Sequence, residues 1–394
     1  MNGGETLSGR STRVAHVVHG LMMGGLEQMV VRLCVASRAH GIEPMVVAFG
    51  ADGAVRSQLE RAQIPLVYLG KVKGLSPQAI QGIARAFTAH RVDIAHAHDF
   101  GPWLNAVAAR SLAPAVRVMA TFHQMAVPSG MDRGAAVAGT FLSDALVACG
   151  GEVRTCVGRW APPVTRLELI GNGIPLIPPF RPVDRERARR RLGVPLDAKV
   201  VGYLGRLHHE KGPDLLLEAF VQRFAHRPDV HLVMIGRGPT GFPADVEPML
   251  RRRAADSGCA RIHLTGEVVD ASSLLAAFDV YAQPSRREGR SLAMLEAMAA
   301  GIPTVTSALP SIRELHADGE TALLVDAADS RMLGSAIERL LEDAELRAHL
   351  NANARERARR YSVEAMASEY AALYRDIRNG RECWFRLRRA RGAA

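Results

Sequence analysis

Short runs of apolar, often β-branched residues alternate with longer segments whose apolar positions recur every three to four residues, along almost all of the 394-residue chain. The first pattern suits strands buried on both faces and the second suits helices with one buried stripe. Their alternation predicts parallel sheets with crossover helices. In the first half, strands are predicted near Val14–His19, Met45–Phe49, Leu66–Leu69, Ile94–His96, Val116–Thr121, Ala145–Ala148 and Leu167–Ile170. The segment after Gly25 shows the helical period, with Leu26, Met29, Val30, Leu33 and Cys34 on one face. Four prolines and two glycines between Gly171 and Val183 end the pattern, because they continue neither a helix nor a central strand. It then restarts, with strands predicted near Val200–Leu204, His231–Ile235, Ile262–Leu264, Val280–Ala282, Thr304–Thr306 and Leu323–Val325. From Asp329 the chain reads as helical to Arg378, interrupted near Tyr361 and Ser362. The expected fold class is α/β, with two doubly wound domains over residues 1–176 and 185–360, a linker at 177–184 and a tail over 379–394.

The length supports this division, since it exceeds what one core serves, and two domains predict a cleft between them. A hydrophobic fraction of 48% and a charged fraction of 23% exclude a disordered or fibrous chain. No run of apolar residues is long enough for a membrane-spanning helix. The first one, Val14–Met23, is interrupted by His16 and His19, so no signal peptide is expected. Cys34, Cys149, Cys156, Cys259 and Cys383 form no CxxC pair, which points to a reducing, cytoplasmic setting. The net charge of +10 calls for an anionic partner. Part of it is concentrated between Arg378 and Ala394, where six arginines and one acid surround Trp384 and Phe385. Such a tail reads either as a contact with an anionic membrane at its inner face or as a solvated end. An aromatic content of 5% argues against nucleic acid.

In parallel sheets, ligands collect where strands end and helices begin. Ser291 reads as an N-cap, residues 292–300 as helix, and Gly301 with Pro303 as its stop. The first amides of such a helix, carrying roughly half a positive charge, form an anion site. Glu288 precedes that site and Glu296 lies inside the helix. A carboxylate beside a phosphate repels it, so these two suit hydroxyl groups of a sugar or ribose, or else are ordinary loop and helix charges. Directly after the predicted strand Val200–Leu204, Gly205, Arg206, Lys211 and Gly212 form a second candidate, two cations in a glycine-bracketed loop that could neutralise a diphosphate or simply be solvated. No Asp-x-Asp pair occurs, so these cations are expected to act in place of a metal, and no cofactor is expected. Gly24 and Gly25, in the turn after the first strand, allow backbone amides to approach a ligand closely or serve packing alone.

His96 and His98 share a strand face, which raises a metal reading, but no third ligand follows at helical spacing and HExxH is absent. Hydrogen bonding within the loop network is the expected role, while His123, at the end of another strand, suits a sugar hydroxyl. Gly236, Gly238 and Gly241 match the dinucleotide pattern GxGxxG, but Pro239 interrupts the turn and the acid at suitable distance, Asp256, falls in a predicted helix.

Taken together, these stretches resemble the large retaining glycosyltransferase family 4, from Val14 to about Tyr374. The resemblance rests on Glu288 and Glu296 with seven residues between them, accompanied by Gly289, Ser291, Leu295, Ala297, Met298, Ala299 and Gly301. It rests also on Gly24–Gly25, on Gly205, Arg206, Glu210, Lys211 and Gly212, and on Asn172-Gly173-Ile174. It implies the GT-B fold, two Rossmann-like domains facing across a cleft, and a segment over 361–378 that crosses back to the first domain. It also implies metal-independent transfer of a sugar from a nucleotide-sugar donor by a front-face route without a dedicated protein base, and the basic tail and net charge suit a lipid-linked or glycan acceptor held at an anionic membrane. Arg206 and Lys211 would hold the diphosphate, helped by amides of Ser291 and Leu292. Glu296 would bind ribose, Glu288 and His123 the donor sugar, and Val268 the base. Pro175, Arg290 and the stretch Ala308–Ser311 depart from the family pattern, and Arg290 would lie near the hexose. A nucleotide-sugar epimerase on the same architecture and a nonenzymatic nucleic-acid binder are the competing readings.

Overall fold

A computed structural model describes residues 10–380 apart from residues 23, 72–73, 125–127, 129, 239–245, 269 and 327–328. The expectations for Trp384, Phe385 and most of the arginine-rich tail, and for Pro239 and Gly241, therefore lie outside the described residues. The chain forms two compact units, Met1–Gly173 with Val363–Ala394, and Ile174–Ser362.

The first unit contains β1 (Thr12–Val18), β2 (Ile42–Ala48), β3 (Leu66–Tyr68), β4 (Ile94–His98), β5 (Arg117–Phe122), β6 (Ala145–Ala148) and β7 (Leu167–Leu169). All are parallel, in the order β3-β2-β1-β4-β5-β6-β7. Val17, Val47, Ala97, Ala120 and Leu146 sit in one apolar core cluster, as runs covered on both faces require. Trp103 is fully buried there against Phe100, Phe122 and Trp160, and its indole N–H donates to Ser143 Oγ at 2.9 Å. A buried aromatic with a satisfied N–H contributes on the order of 3–5 kcal/mol relative to alanine.

The helix Val363–Arg378 belongs to this unit although the whole second unit precedes it in sequence. Its buried stripe, Val363, Met366, Ala367, Tyr370, Ala371, Tyr374 and Ile377, follows the helical period and packs against the helix Gly25–Ser37. Two hydroxyls fix its position, Tyr374 Oη 2.7 Å from His96 Nδ1 and Tyr370 Oη 2.9 Å from Thr121 Oγ1.

The second unit contains β8 (Lys199–Leu204), β9 (Val230–Ile235), β10 (Ile262–Gly266), β11 (Val280–Gln283), β12 (Thr304–Ser307) and β13 (Leu323–Val325). The order is β10-β9-β8-β11-β12-β13, again parallel. The proline-rich stretch is not irregular to its end. A helix, Pro182–Leu192, starts inside it, because proline at the first helical position loses no intrahelical hydrogen bond. That helix carries the buried Arg189, which reaches Asp279 at 2.8 Å, and Asp279 also accepts from the Val200 amide at 2.7 Å. The helical run after Asp329 breaks at Asp343, whose carboxylate caps the next helix by accepting from the Leu346 amide at 2.8 Å.

Candidate active site

In the second unit the chemistry-bearing residues gather at the carboxyl ends of β8 and β11. After β8 the chain turns through Gly205 and Arg206 into a short 3₁₀ turn, His209–Lys211, closed by Gly212. Gly212 has φ +67°, and a Cβ there would stand 2.0 Å from the Pro284 carbonyl oxygen. Only glycine lets the Lys211 loop lie this close to the segment that leaves β11. Arg286 fastens the two segments from the other side, donating to His209 O at 2.9 Å and to both oxygens of Asp214 at 2.7 and 2.6 Å. Burial raises the Asp214 pKa, but the hydrogen bonds and charge of Arg286 outweigh it, and the carboxyl is held below its ordinary range.

This scaffold brings Lys211 Nζ to 2.7 and 2.6 Å from the two Glu288 oxygens. Glu288 is only 4% exposed, and its Oε2 also accepts from Gln283 Nε2 at 2.9 Å. Gln283 in turn accepts from Ser291 Oγ at 3.0 Å, while Ser291 Oγ accepts from the Met294 amide at 3.3 Å. Ser291 is thus the N-cap of the helix Leu292–Ala300, which Gly301 ends at φ +71°. One continuous set of hydrogen bonds therefore joins a cation, a buried carboxylate and a helix start. Within that set the Lys211 charge is matched by the Glu288 carboxylate, and the helix start adds about half a positive charge.

The other expected residues are distributed around this centre. The Arg206 side chain is exposed and makes no ion pair among the described residues, and the Arg206 carbonyl accepts from Tyr203 Oη at 2.7 Å. Glu296 accepts from Ser272 Oγ at 2.7 Å. Val268, just after β10, packs against the same apolar cluster as Leu292. The Arg290 side chain is 7% exposed, pairs with Glu314 at 3.2 Å and lies over the Tyr361 ring at 5.3 Å. An acid and an aromatic face thus hold the guanidinium. Gly236, which opened the dinucleotide pattern, has φ +144° and would place a Cβ 1.8 Å from Gly205 O. Its glycine is needed where two strand ends meet. Gln283, Ser272 and Asp214 were not singled out in the sequence. A polar residue ending an apolar strand was the available signal for Gln283.

In the first unit, Gly24 is the N-cap of the helix Gly25–Ser37 and its carbonyl accepts from the Gln28 amide at 3.0 Å. His123 follows β5, and its amide donates to Asp99 Oδ1 at 2.8 Å. Its ring joins a buried histidine cluster. His98 Nδ1 lies 3.2 Å from His123 Nε2, and His98 Nε2 lies 3.1 Å from His16 Nδ1. His96 stands beside them with Nε2 2.7 Å from Thr121 Oγ1. Burial lowers the pKa of all four, that of His16 to about 3. Potential ligand nitrogens of His16, His96 and His98 lie within 4.8 Å of one another. The third member escaped the sequence reading because His16 is far away in the chain and meets His96 only through the β1–β4 register.

Two family models match the chain, one described as Glycosyltransferase Family 4 over residues 23–177 and one as Glycosyl transferases group 1 over residues 184–357. The chain belongs to glycosyltransferase family 4. It is an enzyme, a glycosyltransferase. The D-inositol 3-phosphate glycosyltransferase of a Nocardioides species is 29% identical over 393 residues, covering 90% of this chain and 86% of that one. The lipopolysaccharide core biosynthesis mannosyltransferase of Rhizobium meliloti is 33% identical over 204 residues, covering 51% of this enzyme and 57% of that one. Several curated relatives match over only about half of their length, as does the Corynebacterium urealyticum D-inositol 3-phosphate glycosyltransferase at 46%. Among solved structures, the Anabaena protein HepE in complex with UDP and glucose is similar with a TM-score of 0.80 at 22% identity, over 92% of this chain and 99% of that one. The glycosyltransferase from Rickettsia africae gives 0.81 at 18% identity, over 93% and 98%. The fold is GT-B, with two Rossmann-like domains. Among the described residues no helix of the glycosyltransferase is long and apolar enough to cross a membrane.

Proposed function

We propose that this glycosyltransferase moves a sugar, with retention and without a divalent metal, from a nucleotide diphosphate donor to a hydroxyl of a glycolipid or polysaccharide acceptor. The observation that carries the reading is the hydrogen-bonded set of Lys211, Glu288, Gln283 and Ser291 at the start of the helix Leu292–Ala300. Arg206, Lys211 and the amides of Ser291 and Leu292 take the charge of the departing diphosphate, which Gly205 lets approach the strand end. Glu296 accepts from ribose hydroxyls, Val268 faces the base, and Glu288 and His123 hold the sugar, with Gly24 and Gly25 offering backbone amides. The bond between the anomeric carbon and the phosphate oxygen breaks. The acceptor oxygen bonds to that carbon on the same face, and its proton passes to the departing oxygen. Protein groups supply charge and orientation. The UDP and glucose bound by HepE support a nucleotide donor, and the name of the Rhizobium relative supports a glycolipid acceptor. The arginines between Arg378 and Ala394 accord with an acceptor at an anionic membrane surface.

A thermal-shift panel of UDP-, GDP- and ADP-sugars identifies the donor, since a bound donor stabilises the fold. Turnover with that donor is expected to fall at least about a hundredfold in Lys211→Ala and Arg206→Ala, the scale of losing one charge-stabilising group. It is expected to continue in the presence of chelator. Full activity in both variants, loss of activity with chelator, or a product of inverted anomeric configuration would each refute the proposal.

A further inference from the structure

Among the described residues, the histidine cluster holds two buried ring nitrogens without hydrogen bonds of good geometry, His16 Nε2 and His123 Nδ1. They are the two ends of one line, His16–His98–His123, whose inner contacts are 3.1 and 3.2 Å. A neutral imidazole has one N–H and one lone pair. If His16 donates through Nδ1–H, then His98 accepts at Nε2, must donate through Nδ1–H, and leaves His123 with its proton on Nδ1. In the reverse direction all three protons sit on Nε2. Any mixed state sets two lone pairs or two N–H groups against each other where water cannot intervene, at the cost of an unmade buried hydrogen bond. One end of the line is therefore an N–H and the other a bare lone pair.

We propose that His16, His98 and His123 act as one tautomeric relay, in which His98 and His16 are positioning residues that set whether His123 offers the donor sugar a hydrogen-bond donor or an acceptor. The functional half of this rests on the reading of His123 as a sugar contact. The groups facing the line agree with it. His96 lies tilted beside His98 with ring centroids 4.3 Å apart, but its two nitrogens are held at 2.7 Å by Tyr374 and Thr121, which leaves His96 outside the relay. Asp99, the acid that acts on the His123 ring, spends one oxygen on the His123 amide. The Asn172 side chain approaches the same ring, and an amide can turn either its oxygen or its nitrogen to meet either state. Burial lowers the pKa of all three rings, which favours the uncharged state that the relay requires.

The test is two-bond proton–nitrogen correlation on the full chain labelled with ¹⁵N-histidine at neutral pH, with resonances assigned from His16→Phe and His123→Ala. Three neutral rings protonated on the same nitrogen are expected. Unlike tautomers, a charged ring, or zinc bound in equimolar amount by the purified protein would overturn the relay. In kinetics, His98→Phe is expected to lower kcat/KM for the donor about tenfold, the value of one hydrogen bond, and to cost nothing further when added to His123→Ala. A further tenfold loss in the double variant would overturn the positioning role. Full activity of His123→Ala would remove the sugar contact and with it that role, whereas the tautomer measurement on the unaltered protein judges the relay by itself.

Discussion

Replacing Lys211 by methionine isolates what the buried ion pair does for the fold. The substitution keeps most of the aliphatic stem and removes the charge, so Glu288, 4% exposed, retains only Gln283 Nε2 at 2.9 Å and Ser285 Oγ at 3.4 Å. Breaking a buried pair from one side costs on the order of 3–5 kcal/mol, because an uncompensated carboxylate stays behind. The Lys211 side chain is 19% exposed, so some water reaches it and the lower end, about 3 kcal/mol, is appropriate. For a unit of this size that is a fall in melting temperature of roughly 6–12 °C. Adding Glu288→Gln removes the stranded charge while keeping shape and hydrogen-bonding capacity, so the double variant is expected to regain most of the loss. Calorimetry of the full chain measures both. Sugar transfer should stay lost in the double variant even as stability returns, which separates the two roles of the pair. A Lys211→Met melting temperature within about 2 °C of the parent, or a double variant no more stable than the single one, would refute the reasoning.

Two further outcomes follow from other contacts. Ser272→Ala removes the hydroxyl that donates to Glu296 at 2.7 Å and should raise the donor KM about three- to tenfold with little change in kcat; a deoxyribose donor should erase the difference, and an unchanged penalty with that donor would rule out a role through ribose. Burial lowers the pKa of His16 to about 3, so between about pH 6.5 and 3 the unfolded chain binds a proton there that the folded state does not, and stability is expected to decline as pH falls through that window by up to about 1.4 kcal/mol per pH unit, with the lowered pKa of His96, His98 and His123 acting in the same direction; urea midpoints that stay flat between about pH 7 and pH 5 would contradict this.

Each of the thirteen strands described was legible in the sequence, because both faces of a parallel sheet are covered and its strands read as apolar runs. The helix start at Ser291 and stop at Gly301 were legible for an equally local reason, a capping hydroxyl and a left-handed glycine. What could not be read was remote or dual-valued. Pro182 terminates one kind of segment and initiates another, and Asp343 is one acid among many until its carboxylate caps the Leu346 amide. The partners of His96 and Thr121 lie 278 and 249 residues away, on a helix whose periodicity shows a buried stripe but not what it covers. The Lys211–Glu288 pair required Gly212 to pass close to Pro284, a contact between separate loops that no spacing rule encodes. Arg290 was legible as a departure, whereas its stacking on Tyr361 depended on a segment much later in the chain.

Because the first unit receives the helix Val363–Arg378, it stays topologically open until Ile174–Ser362 has been synthesised. Through most of synthesis His96 and Thr121 wait without the tyrosine hydroxyls that satisfy them, and the apolar groove over Gly25–Ser37 waits without its lid. The second sheet, continuous from Ile174 to Ser362, has every strand it needs well before then. The first unit thus cannot close until the whole second unit has been made, whereas the second unit can close on a single uninterrupted segment.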